Sequence, residues 1–223
     1  MTTQRLDGTV LDRCRALSTS SLSDALDKHG LPGAVEGLNP LIPDACIAGQ
    51  AFTLAYLPVG AAGGTVGDFI DDLGPGDVVV IDNRGRTDCT VWGNIMTEVA
   101  KRNGVEGTVV DGVNRDLQES MALNYPIWSR QGHMRTGKDR VMLQAVNVPV
   151  CLGTVRVEPG DVVCADGNGV VVIPLAHITE VLTVAEGIER KEEEILQDVR
   201  GGSALGEARN RHGYHALQTP DPA

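Results

Sequence analysis

Two identical apolar runs, each preceded by a turn signal, predict buried strands. Residues 78–81 and residues 170–173 both read Val-Val-Val-Ile. A strand without polar alternation is usually covered on both faces of its sheet. Shorter or partly polar runs predict further strands over 49–57, which Pro58 ends, over 108–111 and around 127–128. The pattern therefore indicates a central sheet with packed layers on its faces.

Helical patterns separate these strands. Hydroxyl residues at 18–21, Leu22 and Leu26 four positions apart, and Gly30 predict an amphipathic helix with a start and a stop signal. Other helices are predicted over 93–103, after Asp116, and from about 177 to 199. This order of elements predicts one α/β domain over residues 1–223, with a C-terminal helical extension from about 177 to 223.

The segments 75–82 and 159–166 resemble one another. Each is a Pro-Gly-Asp turn that leads into an apolar strand with an acidic residue at its end. Paired structural units from an internal repeat would explain the match. Two unrelated turns that obey the same local chemistry explain it about equally well.

The charge balance excludes one class of partner. The chain has 30 acidic and 19 basic residues, a formal net charge of −11, and no cluster of Lys and Arg comparable to a groove that binds a phosphate backbone. Two Phe, two Trp and three Tyr are too few to form a stacking surface for single strands. We therefore expect no nucleic-acid partner.

The cysteines and the apolar runs bear on location. Five widely separated cysteines form no CxxC unit and no zinc-ligand spacing, which indicates reduced thiols. Residues 1–7 lack the apolar core of a signal peptide, and no apolar run approaches the roughly 20 residues that span a bilayer. We expect a cytoplasmic protein with no membrane contact.

Candidate chemistry is concentrated between Trp92 and Asp116. Arg115 and Asp116 follow the predicted strand 108–111, at the carboxyl end where α/β sheets usually bind ligands. An isolated Arg-Asp pair is more often a surface ion pair or a helix start, so the position after the strand carries the argument. Arg115 suits a carboxylate, and Asp116 suits Mg²⁺ or Mn²⁺.

The start of the helix 93–103 provides a second half to this site. Asn94 is a typical N-cap residue, and the amides after it would point toward a bound anion. We predict that Gly93, Asn94, Ile95 and Met96, together with Arg115, bind the substrate. Capping and anion binding are compatible roles for this turn.

Three other features have plainer interpretations. The basic segment 135–140 lacks the spacing of a P-loop and is better explained as a solvated turn before a strand near Val141. His133 is a lone histidine, which is more often structural or exposed than catalytic. The acidic run 189–194 has the character of a solvated helix face, directed to solvent or to another subunit.

The motifs quoted above resemble the aldolase and decarboxylase family grouped with the regulator of ribonuclease E activity, the RraA-like family. Its fingerprint is an acidic residue, twenty intervening residues and then Arg-Asp. The count from Asn94 to Arg115 fits, but Asn stands where the family usually has Asp or Glu. The resemblance also covers the Leu22–Leu26 helix, both Pro-Gly-Asp turns and the helix around Lys191.

The resemblance implies an α/β/α sandwich with a central mixed sheet, assembled as a trimer or hexamer with sites between subunits. Asp116 would be the principal ligand of Mg²⁺ or Mn²⁺, and Glu192 or Glu193 of the next chain would complete the shell. Arg115 would hold the pyruvyl end of a small 2-keto acid, whose carboxylate the amides of Ile95, Met96 and Thr97 would bind.

The implied activity is that of a metal-dependent (class II) aldolase and oxaloacetate decarboxylase. Retro-aldol cleavage of a 4-hydroxy-2-oxo diacid and decarboxylation of oxaloacetate share a pyruvate enolate, which Arg115 would stabilise. Asn94, at the family's second catalytic position beside Arg115, cannot move protons as the usual carboxylate could, but it could donate a hydrogen bond to an altered substrate. Two alternatives stay open: a non-catalytic regulator that binds ribonuclease E, and a specialised lyase or dehydratase of a biosynthetic pathway.

Overall fold

The structure is a computed structural model and describes residues 5–217, without the side chain of Ala216. The ends of the predicted domain 1–223 and of its extension 177–223 therefore lie outside the described residues. The helices are α1 (Gly8–Ala16), α2 (Thr19–Lys28), α3 (Asn94–Asn103), α4 (Leu117–Ala122), α5 (Ile178–Arg200) and α6 (Leu205–His212). The strands are β1 (Ala34–Val35), β2 (Asn39–Pro40), β3 (Ile47–Pro58), β4 (Asp77–Asp82), β5 (Gly107–Asn114), β6 (Ile127–Gly132), β7 (Val141–Val146), β8 (Val150–Leu152), β9 (Val155–Val157), β10 (Val162–Asp166) and β11 (Gly169–Ile173).

The described strands other than β8 and β9 form one mixed sheet, in the order β1-β11-β10-β3-β4-β5-β6-β2, with β7 also paired to β3. Strands β3, β4, β5 and β6 run parallel to one another, whereas β10 and β7 pair antiparallel with β3, β11 with β10, β1 with β11 and β2 with β6. The prediction of an α/β fold with a central mixed sheet is confirmed.

Alternate residues of the central strands belong to different apolar clusters. Val79 and Ile81 pack toward α3, whereas Val78 and Val80 pack toward the β8–β9 hairpin. On β10, Cys164 packs toward α1, α2 and α5. Both faces of these strands are therefore covered, which explains why they are apolar at every position.

The spacing of apolar residues along helix α5 determines which face of the helix packs on the protein. Its buried residues recur at helical spacing, and they pack on α2 through Leu22 and Leu26. The remaining positions are mostly charged. The buried residues of α5 are Ile178, Val181, Leu182, Ala185, Ile188 and Ile195.

The two Pro-Gly-Asp turns have the same local conformation in different settings. Gly76 and Gly160 have φ angles of 84° and 91°, a region that glycine adopts without strain. However, β4 is parallel to β3 and β10 is antiparallel to it. The structure therefore favours shared turn chemistry over a duplicated unit.

Several elements have no counterpart in the sequence-based prediction, namely α1, β1, β2 and the β8–β9 hairpin, whereas α6 lies within the predicted helical extension. All are short, and α6 is polar along most of its length. Among residues 5–217, the structure contains no helix with both the length and the apolar composition needed to span a bilayer.

Candidate functional site

Strand β5 delivers Arg115 and Asp116 to one edge of the sheet. Every residue of β5 is buried between its two neighbours, and the chain turns sharply where the strand ends. Asp116 makes this turn in the left-handed conformation, with φ 57° and ψ 48°, and directly precedes α4. Asp tolerates this conformation better than most residues, so the turn itself restricts the choice of side chain.

The Asp116 carboxylate is held by the first turn of α3. Its Oδ2 accepts a hydrogen bond from the Asn94 amide at 2.9 Å and lies 3.4 Å from Arg115 Nε. The Arg115 amide donates to Trp92 O at 3.1 Å, which ties the end of β5 to the start of α3. The other carboxylate oxygen, Asp116 Oδ1, accepts no hydrogen bond from residues 5–217 and is available to a ligand.

The other amides at the start of α3 are not equally open. The Ile95 N–H donates to Asn94 Oδ1 at 2.9 Å, and the Thr97 N–H donates to Gly93 O at 3.0 Å. Among the described residues, the Met96 N–H has no acceptor. The N-cap of α3 is Gly93 and Asn94 is the first helical residue, so the prediction that Asn94 is the N-cap is wrong by one position, although the Asn94 side chain does occupy the Ile95 amide. Met96 offers the open donor among the predicted carboxylate-binding amides.

Gly93 is required by the close approach of these two segments. A Cβ atom at this position would lie 2.7 Å from Asp116 Oδ2 and 3.0 Å from Arg115 Nε. Its φ of −159° is ordinary extended backbone, so the restriction is one of space. A side chain here would push the carboxylate from its position.

A buried network of hydroxyl groups lies between the start of α3 and α4 and supports the backbone of Asp116. Thr97 Oγ1 lies within hydrogen-bonding distance of Trp92 Nε1 (3.0 Å), Gly93 O (3.1 Å) and Ser120 Oγ (3.2 Å). Ser120 Oγ donates to Asp116 O at 3.1 Å. The network joins α3 to α4 and fixes both backbones that position Asp116.

Arg115 separates two cavities. The first, which we call the α3 cavity, has a volume of about 230 Å³ and is lined by 66–68, 90–96, Arg115 and Thr136. The second, which we call the α4 cavity, has a volume of about 510 Å³ and is lined by 115–119 and 132–134. A small ligand on Arg115 can thus extend into either cavity, and Asp116 lines the α4 cavity.

The predicted second metal ligands lie elsewhere in the chain. Glu192 and Glu193 are on α5, and neither lines the α3 or the α4 cavity. Glu193 accepts hydrogen bonds from Arg200 and Gln197. Burial, with the nearby charges of Asp24 and Glu189, raises the pKa of Glu192. The charge of Glu193 is therefore paired with that of Arg200, whereas Glu192 lies near other negative charges.

Within residues 5–217, no three His, Cys, Asp or Glu side chains form a cluster that could hold a metal ion. Asp116 with its free oxygen nevertheless fits Mg²⁺, which commonly keeps several waters and binds through one or two carboxylates. Within one chain Asp116 is the one predicted metal ligand at this site, and Mg²⁺ or Mn²⁺ binding remains a prediction.

The structure adds residues that the sequence analysis left out. Asp68 lines the α3 cavity, Glu119 and His133 line the α4 cavity, and Ser120 supports the Asp116 backbone. Asp68 is the sole acidic residue of the glycine-rich segment 59–70, which is a weak signal. The segment 135–140 forms a turn before β7, with Arg140 bonded to the carbonyls of Thr136 and Lys138.

Comparisons with known sequences agree with these motifs. A family model described as RraA-like, Aldolase/RraA, matches residues 19–172. Protein DlpA of Legionella pneumophila is 38% identical over 200 residues, which is 88% of this chain but only 32% of DlpA. A protein of Halalkalibacterium halodurans named putative 4-hydroxy-4-methyl-2-oxoglutarate aldolase is 34% identical over 201 residues, covering 88% of this chain and 85% of that protein.

Solved structures show the same fold. An uncharacterized protein from Pseudomonas syringae superposes with a TM-score of 0.86 at 41% identity, covering 92% of this chain and 99% of that one. RraAS2 of Streptomyces coelicolor, described as an unusual member of the RNase ES inhibitor RraA protein family, superposes with a TM-score of 0.78 at 29% identity. That alignment covers 85% of this chain and 96% of RraAS2.

Proposed function

Because the chain belongs to the RraA-like family, we propose that it is a divalent-metal-dependent lyase that releases pyruvate from 2-keto acids. The reactions are retro-aldol cleavage of a 4-hydroxy-2-oxo diacid and decarboxylation of oxaloacetate. Relatives named as putative aldolases support the lyase class, and the local geometry around Asp116 supports the metal and the substrate.

The observation that carries this proposal is the position of the Asp116 carboxylate. One oxygen is bonded to the Asn94 amide, the other is free, and Arg115 lies beside it between two cavities. Gly93 leaves the space that this carboxylate occupies, since a Cβ there would lie 2.7 Å from Asp116 Oδ2. The arrangement matches the needs of a chelated 2-keto acid.

Asp116 would hold Mg²⁺ or Mn²⁺, with Glu192 of the partner subunit as a further ligand. The bound ion would act as a Lewis acid toward the 2-keto group of the substrate. Glu192 suits this role better than Glu193, because Glu193 is already neutralised by Arg200 whereas Glu192 lies among other carboxylates.

Arg115 and the start of α3 would bind the substrate and stabilise the charge that develops on it. The Arg115 guanidinium would stabilise the oxygen that becomes negative when the carbon–carbon bond breaks. The open Met96 amide, at the positive end of the helix dipole, would bind the substrate carboxylate. The Ile95 amide, which donates to Asn94 Oδ1, would join it only if that hydrogen bond were broken.

We further propose a homotrimer or hexamer in which copies of the chain meet beside this site. Ile95 and Met134, which line the α3 and α4 cavities respectively, are 71% and 79% exposed. Large apolar side chains at such positions are typical of surfaces that a partner covers. A cytoplasmic location is also proposed, supported by five cysteines that are free thiols in the structure.

A pyruvate-release assay tests the proposal. Purified protein with Mg²⁺ or Mn²⁺ should release pyruvate from oxaloacetate and from 4-hydroxy-4-methyl-2-oxoglutarate, and a chelator should abolish the release. The control is the metal ion without protein, because metal ions alone decarboxylate oxaloacetate. Fully metallated protein that is no faster than this control on either substrate would overturn the lyase assignment.

A non-catalytic regulator of an RNase is the rival function, favoured by the structural match to RraAS2. Inhibition of RNase E by this protein, unaffected by Asp116→Ala and by a chelator, would support the regulator instead. A lyase or dehydratase of a biosynthetic pathway would show metal binding at Asp116 without pyruvate release.

A further inference from the structure

The α3 cavity contains a carboxylate that can replace the one missing at position 94. Of the described residues that line this cavity, Asp68 is the one acidic residue and Arg115 the one basic residue. The other lining residues are apolar, hydroxyl-bearing, amide-bearing or glycine. Asp68 and Asn94 therefore face the same small space, although 25 positions separate them in the chain.

The segment that carries Asp68 is held against the protein on both sides. Before it, the buried Tyr56 hydroxyl donates to Val66 O at 2.6 Å, and the Leu143 amide donates to Thr65 O at 2.8 Å. After it, Phe69 is 4% exposed and stacks on Phe52, with ring centroids 6.2 Å apart. The backbone at Asp68 is thus positioned by its neighbours, while its own side chain is left exposed at the cavity.

Gly67 allows the backbone before Asp68 to pass close to Leu143. Its φ of 87° is unfavourable for other residues, and a Cβ would lie 2.3 Å from Leu143 Cδ2. The chain can therefore pass directly over Leu143 and turn at this point, which brings the next residue to the rim of the α3 cavity.

We infer that Asp68 is the acid–base residue of the aldol reaction, an inference that rests on the proposed lyase function. Asn94 cannot fill this role, because an amide does not accept and return a proton, and its oxygen is bonded to the Ile95 amide. Asp68 is an ionisable group in reach of the same cavity. General acid–base groups typically contribute about 10²- to 10⁴-fold to rate.

The reaction balances with Asp68 as the only added group. The Asp68 carboxylate takes the proton of the substrate's 4-hydroxyl group, the C3–C4 bond breaks, and C4 becomes a ketone. The electron pair of that bond forms the C2–C3 double bond of the enolate, whose oxygen Arg115 stabilises. Protonated Asp68 then gives its proton to C3, which yields pyruvate and restores the carboxylate.

Decarboxylation of oxaloacetate provides the contrast that tests this role. It breaks a C–C bond through the same enolate but has no hydroxyl proton to remove. With Mg²⁺ present, Asp68→Asn should lower kcat for 4-hydroxy-4-methyl-2-oxoglutarate by about 10²-fold or more. Its KM should change little, and oxaloacetate decarboxylation should fall less than about tenfold.

Two further variants complete the experiment. Asp72→Asn makes the same change on the same segment, but Asp72 lines a different cavity with Arg5 and Asn147, so both activities should persist. Adding Asn94→Asp to Asp68→Asn returns a carboxylate to the α3 cavity and should restore part of the aldol cleavage. Circular dichroism melting would verify that each variant is folded.

The outcomes separate this inference from the proposed function. Wild-type protein that is inactive on both substrates overturns the function and the inference together. Wild-type protein that is active only on oxaloacetate, or an Asp68→Asn variant with unchanged aldol cleavage, overturns the inference alone. Equal losses on both substrates also overturn it, because Asp68 would then act in binding or structure.

Discussion

At the scale of single residues, Arg115 and Asp116 are adjacent in the chain but are suited to different roles. Asp116 has a free carboxylate oxygen and a fixed backbone, as a metal ligand requires, whereas Arg115 borders both cavities. Their side chains are 38% and 29% exposed, so both can reach a ligand from solvent. Substitution should therefore separate metal binding from catalysis.

We predict that Asp116→Ala loses calorimetric Mn²⁺ binding, because Asp116 is the one predicted metal ligand that lines either cavity of the described chain. Arg115→Ala should retain Mn²⁺ and lose about 10²- to 10³-fold in kcat, as expected for removal of an oxyanion donor. Asp88→Ala, which removes a surface carboxylate paired with Arg86, is the matched control. Unchanged Mn²⁺ affinity in Asp116→Ala would remove this residue from the metal shell.

Gly93→Ala tests the close approach of α3 and β5. The added methyl group would lie 2.7 Å from Asp116 Oδ2, so the carboxylate must move. We expect Mn²⁺ affinity to fall by about tenfold, which corresponds to about 1.4 kcal/mol. At Gly187, on α5, a Cβ meets nothing within 4 Å, and Gly187→Ala should leave affinity unchanged. Equal Mn²⁺ affinities of Gly93→Ala and Gly187→Ala would show that the space at Gly93 does not position the Asp116 carboxylate.

At the scale of secondary structure, the end of β10 supports the start of α2. The Asp166 carboxylate accepts hydrogen bonds from Thr19 N (2.9 Å), Thr19 Oγ1 (2.7 Å) and Asn168 N (2.7 Å). Burial alone would raise the pKa of Asp166, but these hydrogen bonds outweigh it and lower the pKa. The carboxylate thus contributes stability in its ionised form.

Asp166→Ala should lower the free energy of unfolding by about 2 kcal/mol at pH 7, because hydrogen bonds to a charged group are lost. A depressed folded-state pKa gives stability that is present above the unfolded pKa, about 3.9, and is lost as pH falls through the folded value. Urea midpoints of wild type and variant should therefore converge between about pH 4 and pH 2. Asp27→Ala, on the exposed side of α2, is the control, and a difference that stays constant to pH 2 would contradict the assigned role.

At the scale of the whole molecule, the site is open on both sides of Arg115. Its rim carries exposed apolar side chains, and the acidic helix α5 packs on α2 and α6 away from both cavities. The proposed metal shell therefore gains a second carboxylate only when copies of the chain meet. Assembly and activity should depend on one another.

Light scattering should show a closed homo-oligomer, a trimer or hexamer, under the conditions of the activity assay. Met134→Glu places a charge on an exposed apolar side chain beside Arg115, and we expect it to lower both the oligomer fraction and kcat by about tenfold or more. Leu205→Glu changes an exposed apolar residue of α6 that lines neither cavity, as a control. A monomer that keeps full activity at nanomolar concentration would exclude a shared site.

The residues of the candidate site differ in how far the sequence could identify them. Arg115 and Asp116 were identified because they follow a predicted strand, and the position of a strand end is a local property. The start of α3 was identified for the same reason, since caps and periodicity involve neighbouring residues only. The predicted metal, Glu192 and oligomer remain predictions that the experiments above would test.

The sequence by itself determined the apolar strands, the amphipathic helices, the α/β class and the segment that carries the site, because each depends on residues within one or two turns of one another. Only the tertiary structure decided that the Asn94 amide meets Asp116, that Gly93 is needed for space, and that Asp68 shares the α3 cavity. Periodicity shows which face of an element is buried, but not which distant segment covers it. The long-range contacts are set by how whole layers pack, which no local pattern in the chain records.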